Sequence, residues 1–133
     1  PVVFPIHPRT RGMLSQFPIS NFDFLNVTDP LGYIDFLSLM INAKFVMTDS
    51  GGIQEEATVL GTPCLTLRQN TERPITVREG TNILVGNDYQ VIVREALNVL
   101  VNGRKQGGVP ALWDGKASER ILKIILRIVA EYE

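Results

Sequence analysis

One cysteine and one histidine are all that these 133 residues offer in thiol and imidazole. A structural zinc site, which takes four such ligands, therefore has no set to be built from, and no metal is expected. Cys64 lies in the apolar run Pro63-Cys64-Leu65-Thr66-Leu67, which points to a buried reduced thiol rather than a nucleophile and implies no oxidising compartment. No apolar run approaches the roughly 20 residues of a membrane span, and the start carries no signal peptide, so the expectation is cytoplasm and no membrane partner. A net charge of -1 supplies no basic face for nucleic acid, although a few clustered cations still suffice for one diphosphate. The chain also lacks a G-x-x-x-x-G-K-[ST] run, a G-x-G-x-x-G after the first strand and a G-x-S-x-G elbow, which removes the P-loop, the dinucleotide fingerprint and the hydrolase nucleophile. Internal repeats, heptads and an interdomain linker are absent as well.

What is present is an ordinary globular composition, 44% hydrophobic and 20% charged. A chain of this size buries roughly 68–70% of its unfolded surface, enough for the core of one domain over residues 1–133. The segment Pro1-Val2-Val3-Phe4-Pro5-Ile6 reads as a core strand with no initiator methionine or polar lead before it. The expectation is a fragment, the second half of a larger protein with part of its site elsewhere.

Apolar runs predict strands at Val2 to Ile6, Phe24 to Val27, Lys44 to Met47, Cys64 to Leu67 and Asn82 to Val85. Helical spacing predicts helices at Arg11 to Gln16, Tyr33 to Asn42, Gly52 to Leu60, Pro74 to Glu79 and Asp88 to Asn102. Gly103 to Gly108 reads as a loop, and Ser118 to Tyr132 as a final amphipathic helix begun by Ser118. Strands alternating with helices imply an α/β fold with a parallel sheet, whose ligands sit beyond the carboxyl ends of the strands. His7-Pro8-Arg9, Asp49-Ser50-Gly51-Gly52 and Arg68 to Pro74 all follow predicted strands.

The most informative stretch is Thr48-Asp49-Ser50-Gly51-Gly52-Ile53-Gln54-Glu55-Glu56-Ala57, where a strand becomes a helix through two glycines. The first N–H groups of such a helix point outward at the positive end of its dipole and suit a phosphate. Ser50 caps or donates, and glycine lets the phosphate approach closely. At about 1.5 Å per residue, Glu56 stands roughly 6–8 Å along the helix from that end, the separation between a diphosphate and its ribose hydroxyls. A carboxylate accepts both hydroxyls of a diol, so one of Glu55 and Glu56 is a ribose ligand unless both merely complement the dipole. The stretch reads as a nucleotide-sugar site.

Other residues stay open. Gln54 is as consistent with solvent as with a role. His7, in a strand-end loop beside Arg9 and Arg11, is a phosphate or sugar contact or a structural histidine. Arg73 either forks onto phosphate or holds Glu72. Arg9, Arg11, Arg68 and Arg78 read as surface or structural, and Phe36 as core or the wall of a base pocket.

Together the Asp49 to Ala57 run, Gly61-Thr62-Pro63-Cys64, Thr71-Glu72-Arg73-Pro74, Gly80-Thr81-Asn82-Ile83-Leu84-Val85-Gly86, His7-Pro8-Arg9-Thr10 and Asp114-Gly115-Lys116-Ala117-Ser118-Glu119-Arg120-Ile121 resemble the non-hydrolysing UDP-N-acetylglucosamine 2-epimerases across nearly the whole chain. The resemblance implies a three-layer Rossmann-like domain, the C-terminal half of a glycosyltransferase-B type fold, with its site facing an N-terminal domain and the complete enzyme a homodimer. It implies UDP-sugar binding by His7, Ser50, Gly51, Gly52, Glu56 and Arg73, with Phe36 beside the uracil and His7 the catalytic candidate. Two departures, Leu31 where glutamine is frequent and Leu112-Trp113 where tyrosine-glycine stands, leave the sugar's substituents at C3 and C6 open. A branch acting on UDP-2,3-diacetamido-sugar uronic acids is similar at these points.

The reaction implied is inversion at C2, a carbon whose proton is not acidic. Without a dinucleotide fingerprint no cofactor is expected, and the family's route is elimination of UDP to a 2-acetamidoglucal followed by re-addition. This half stabilises the leaving group, while the carboxylates that move the C2 proton belong mainly to the other half, so the fragment alone is expected to be inactive. Two rivals share the features: a UDP-sugar glycosyltransferase and a non-catalytic UDP-sugar sensor.

Overall fold

The computed structural model describes residues 1–14, 16, 22–103 and 107–131. In chain order they form β1 (Val2–Pro5), α1 (Pro8–Leu14), β2 (Leu25–Thr28), α2 (Tyr33–Asn42), β3 (Val46–Thr48), α3 (Gly51–Leu60), β4 (Cys64–Thr66), α4 (Pro74–Arg78), β5 (Asn82–Leu84), α5 (Tyr89–Asn102) and α6 (Ala117–Glu131). Every predicted element is present, α2 with both ends as expected and the others with at least one end shifted. α1 starts at Pro8 rather than Arg11, because proline at the first helical position has its φ preset and lacks an N–H that would go unpaired there. His7 precedes it, with Nδ1 accepting from the Arg9 N–H at 3.2 Å. α6 starts at Ala117 rather than Ser118. Ser15 and Tyr132 of the predicted helices, and residues 104–106 of the predicted loop, lie outside the described residues.

The described chain divides into two compact units, Pro1–Leu39 and Met40–Glu133. In the first, β1 and β2 pair in parallel from Val2 opposite Leu25 to Pro5 opposite Thr28. Val2, Val3 and Phe4 are 38–51% exposed, so β1 is a strand as expected but not a core strand. Its burial comes only after it ends, at Ile6, which is fully buried and donates its N–H to Thr28 O at 3.0 Å.

In the second unit β3, β4 and β5 lie side by side in sequence order, all parallel, with Val46 opposite Cys64 and Cys64 opposite Asn82. Alternation along β4 sends Leu65 to one face and Cys64 and Thr66 to the other. Leu65 joins Val85 and Val99 in an apolar cluster with Val91, Ile92 and Ala96 of α5 around it. Thr66 instead donates to Asn82, which bonds Gln54 of α3 and Thr76 of α4. The unit is thus three layers: α5, the sheet, and α3 with α4.

α3 ends at Gly61, whose left-handed φ of 68° and N–H bonds back to Ala57 and Thr58 carbonyls make it the C-cap. Gly80 serves a different need, since a Cβ there would stand 2.6 Å from both side-chain tips of Thr58 and 2.7 Å from the Thr76 carbonyl. Gly80→Ala should therefore lower the melting temperature and the urea midpoint, by about 1–3 kcal/mol of overpacking; a midpoint equal to the parent's would refute that packing. No residue of α6 is buried, and Ile121, Leu122, Ile125, Ile128 and Val129 are exposed. Among the described residues no helix is long and apolar enough to cross a membrane.

Candidate functional site

Ser50 stands at the N-cap of α3 in extended geometry, φ -82° and ψ 131°, yet its hydroxyl makes no capping bond. Its own N–H is taken by Thr48 Oγ1 at 3.0 Å, which turns the chain out of β3. The Gln54 N–H is the first of the helix to reach a backbone acceptor, Ser50 O at 3.4 Å. The N–H groups of Gly51, Gly52 and Ile53 stand ahead of that ladder, at the positive end of the dipole.

Neither glycine has a left-handed φ, and a Cβ built on Gly51 meets nothing within 4 Å while one on Gly52 meets only Ser50 Oγ at 4.0 Å. Nothing in the fold itself thus requires glycine at either position. What the missing side chains leave is open space in front of three N–H groups and an uncommitted hydroxyl.

The acidic pair divides. Neighbours on a helix point about 100° apart, and Glu55 faces Arg73 while Glu56 does not. Arg73 Nε lies 2.9 Å from Glu55 Oε1, an ion-pair distance at an angle too poor for a hydrogen bond, so this buried N–H has no hydrogen-bond acceptor among the described residues. Glu56 is half-buried and has no partner among the described residues. Arg73 does not hold the Glu72 carboxylate; Arg68 does, with Nη1 3.0 Å from both oxygens. Glu72 is held below its ordinary pKa first by its own backbone N–H and then by Arg68.

Gln54 is fully buried rather than solvent-facing. Its Oε1 accepts from Thr71 Oγ1 at 2.6 Å and Asn82 Nδ2 at 3.0 Å, and its Nε2 donates to Ser50 O at 3.2 Å. Sequence reasoning assigned no role to Thr66, Thr71, Thr76 or Asn82; the only signal was an excess of threonine beside quoted motifs. Burial pushes the Cys64 thiol up to about 11, against a smaller opposing pull from Thr66, so it stays protonated at neutral pH, as its apolar run suggested.

In the first unit His7 is exposed, and with Nδ1 accepting from Arg9 the neutral ring carries its proton on Nε2. Arg11 is an ion pair with Asp29 at 2.6 Å. Phe36 lies half-buried in α2. The Leu112-Trp113 departure falls where Leu112 has φ 70°, a conformation that costs a non-glycine residue roughly 1–2 kcal/mol. Arg120 and then the Lys116 N–H keep the Asp114 carboxyl below its ordinary pKa. Among the described residues no cluster of three His, Cys, Asp or Glu side chains is placed to hold a metal.

Parallel strands alternating with helices, and an uncapped helix start at the carboxyl end of β3, define a Rossmann-like nucleotide-binding class. The chain belongs to the UDP-N-acetylglucosamine 2-epimerase family, whose sequence profile matches residues 1–126. It is 43% identical over 130 residues to the UDP-N-acetylglucosamine 2-epimerase of Methanocaldococcus jannaschii, covering 93% of this chain and 34% of that protein. It is 38% identical over 133 residues to the UDP-2,3-diacetamido-2,3-dideoxy-D-glucuronate 2-epimerase of Pseudomonas aeruginosa, covering 96% and 35%. The crystal structure of the M. jannaschii enzyme in complex with UDP-GlcNAc and UDP superposes with a TM-score of 0.80 at 41% identity, over 94% of this chain and 35% of that one. The chain thus spans about a third of the length of the curated relatives it matches, and it corresponds to their C-terminal portion.

Proposed function

We propose that this chain is the UDP-holding domain of an enzyme that interconverts UDP-N-acetylglucosamine and UDP-N-acetylmannosamine, or the epimers of a related UDP-acetamido sugar. The reaction breaks the bond from C1 to the UDP oxygen as the C2 proton leaves, giving the 2-acetamidoglucal and UDP, and re-addition with protonation on the other face gives the epimer. The observation that carries this reading is the helix start, where Gly51 and Gly52 leave open space before N–H groups that have no acceptor among the described residues.

Each residue then has a task. The N–H groups of Gly51 and Gly52, the Ser50 hydroxyl and the Arg73 guanidinium hold the diphosphate as negative charge grows on it. Glu56, without a partner among the described residues, accepts the ribose hydroxyls, and Phe36 lies against the uracil. His7 offers its Nε2–H to the leaving group and is the catalytic residue of this domain. Residues 1–133 are read as a single UDP-sugar-binding domain, as the resemblance implies. The N-terminal domain of the same enzyme supplies the groups that move the C2 proton, and the complete protein works as a homodimer, as the resemblance implies, in the cytoplasm.

Proton NMR of the full-length enzyme with UDP-N-acetylglucosamine in D₂O tests this directly. Deuterium at C2 and a manno product are the expected result. A new glycoside with an added acceptor points to a transferase, and UDP binding without exchange points to a sensor; either result would overturn the proposal.

A further inference from the structure

Arg73 is held at both of its backbone polar groups. Its N–H donates to Thr71 Oγ1 at 2.9 Å, and its carbonyl accepts from the Thr76 hydroxyl at 2.7 Å. Each of those hydroxyls is held in turn by a primary amide: Thr71 donates to Gln54 Oε1 at 2.6 Å, and Thr76 accepts from Asn82 Nδ2 at 3.0 Å. The amides bond each other, Asn82 Nδ2 to Gln54 Oε1 at 3.0 Å, and Asn82 Oδ1 accepts from Thr66 at 2.7 Å. The chain of bonds ends on the Ser50 carbonyl, which accepts from Gln54 Nε2 at 3.2 Å. Each donor atom in this chain has at least one acceptor. Gln54, Thr66, Thr76 and Asn82 are all fully buried.

Two amides and two hydroxyls in a solvent-free layer are costly unless satisfied, and apolar side chains would fill the same space without that demand. What apolar packing would not do is fix one register between two segments. Here the 71–76 segment is tied by directional bonds to the first turn of α3, and the Arg73 guanidinium is thereby set beside that turn, Nε 2.9 Å from Glu55. Fixing the Cα of a long flexible side chain narrows the range of places where its charged end stands.

We propose that Gln54 and Asn82, acting through Thr71 and Thr76, are positioning residues that set where the Arg73 guanidinium stands relative to the Ser50–Gly52 helix start. The proposal rests on the reading above, in which Arg73 and that helix start hold the diphosphate.

The test is a double-mutant cycle on the full-length enzyme, with kcat for UDP-N-acetylglucosamine as readout. Thr71→Val and Thr76→Val each remove one hydroxyl at nearly constant shape. Each should lower kcat by about 10-fold or more, while Thr71→Ser and Thr76→Ser recover it to within about 3-fold. On an Arg73→Ala background the same valine substitutions should cost less than about 2-fold, because a positioning effect needs the residue it positions. Equal losses with and without Arg73, or no loss at all, overturn the proposal. If Arg73→Ala itself keeps parental turnover, the diphosphate reading falls and this one with it. If Arg73→Ala is slow while both valine variants run at the parental rate, the positioning role alone falls. Should Thr76→Val fail to fold, Thr71→Val, whose side chain is only half-buried, decides the question by itself.

Discussion

Gly51→Ala should leave the protein at least as stable as the parent and yet remove most of its turnover. The two effects separate because, beyond its chain neighbours and the helix's own backbone, the added methyl group meets no atom of the described residues within 4 Å. Alanine also favours a helix over glycine by about 0.8–1.0 kcal/mol in a helix interior, a gain that shrinks toward the first position. Since Cα–Cβ bonds tilt toward a helix's N-terminus, the methyl leans out of the first turn toward the space before the N–H groups. A phosphate there must retreat by the radius of a methyl group, and misplacement by about 1 Å costs on the order of 10²-fold in rate. Melting temperature and kcat/KM for UDP-N-acetylglucosamine, measured on the same full-length variant, check both halves. Parental turnover would remove the helix start from the site, whatever the family.

Arg73→Ala should cost about 10²–10³-fold in kcat, the usual loss of one preorganised donor facing developing charge. The fold should hardly notice. The partner of Arg73 is Glu55, and the two side chains are 42% and 40% exposed, where an ion pair contributes about 0.2–1 kcal/mol. Arg73→Lys keeps the charge but loses the planar fork, and its rate should fall between the two. A parental rate in Arg73→Ala, or a rate loss matched by a large drop in melting temperature, would show that Arg73 braces the fold rather than the diphosphate.

The two variants bear on different kinds of information. That Gly51 and Gly52 stand at a strand-to-helix turn was legible because the change from a short apolar run to helical spacing is a local pattern, set by neighbours along the chain. The same local logic placed all the strands and helices, and erred only at their ends, where a proline or a cap decides. It did not foresee that β1 would be exposed, because burial depends on what packs against a strand and not on the strand's own residues.

Sequence spacing also presented Glu55 and Glu56 as equals and Gln54 as indifferent. Their difference came from a segment distant in the chain: Arg73 takes Glu55, Glu56 has no partner among the described residues, and Gln54 meets Thr71 and Asn82, 17 and 28 positions away. Hydrogen bonds of that range exist only once β4 and β5 lie side by side and bring α3 against α4, so no periodicity encodes them. By itself the sequence determined the alternating parallel architecture, the family and the open turn at Ser50-Gly51-Gly52, because each rests on local order of residues. Only the tertiary structure decided which carboxylate pairs with Arg73 and what holds Arg73 in place, because those are choices among partners that packing alone makes available.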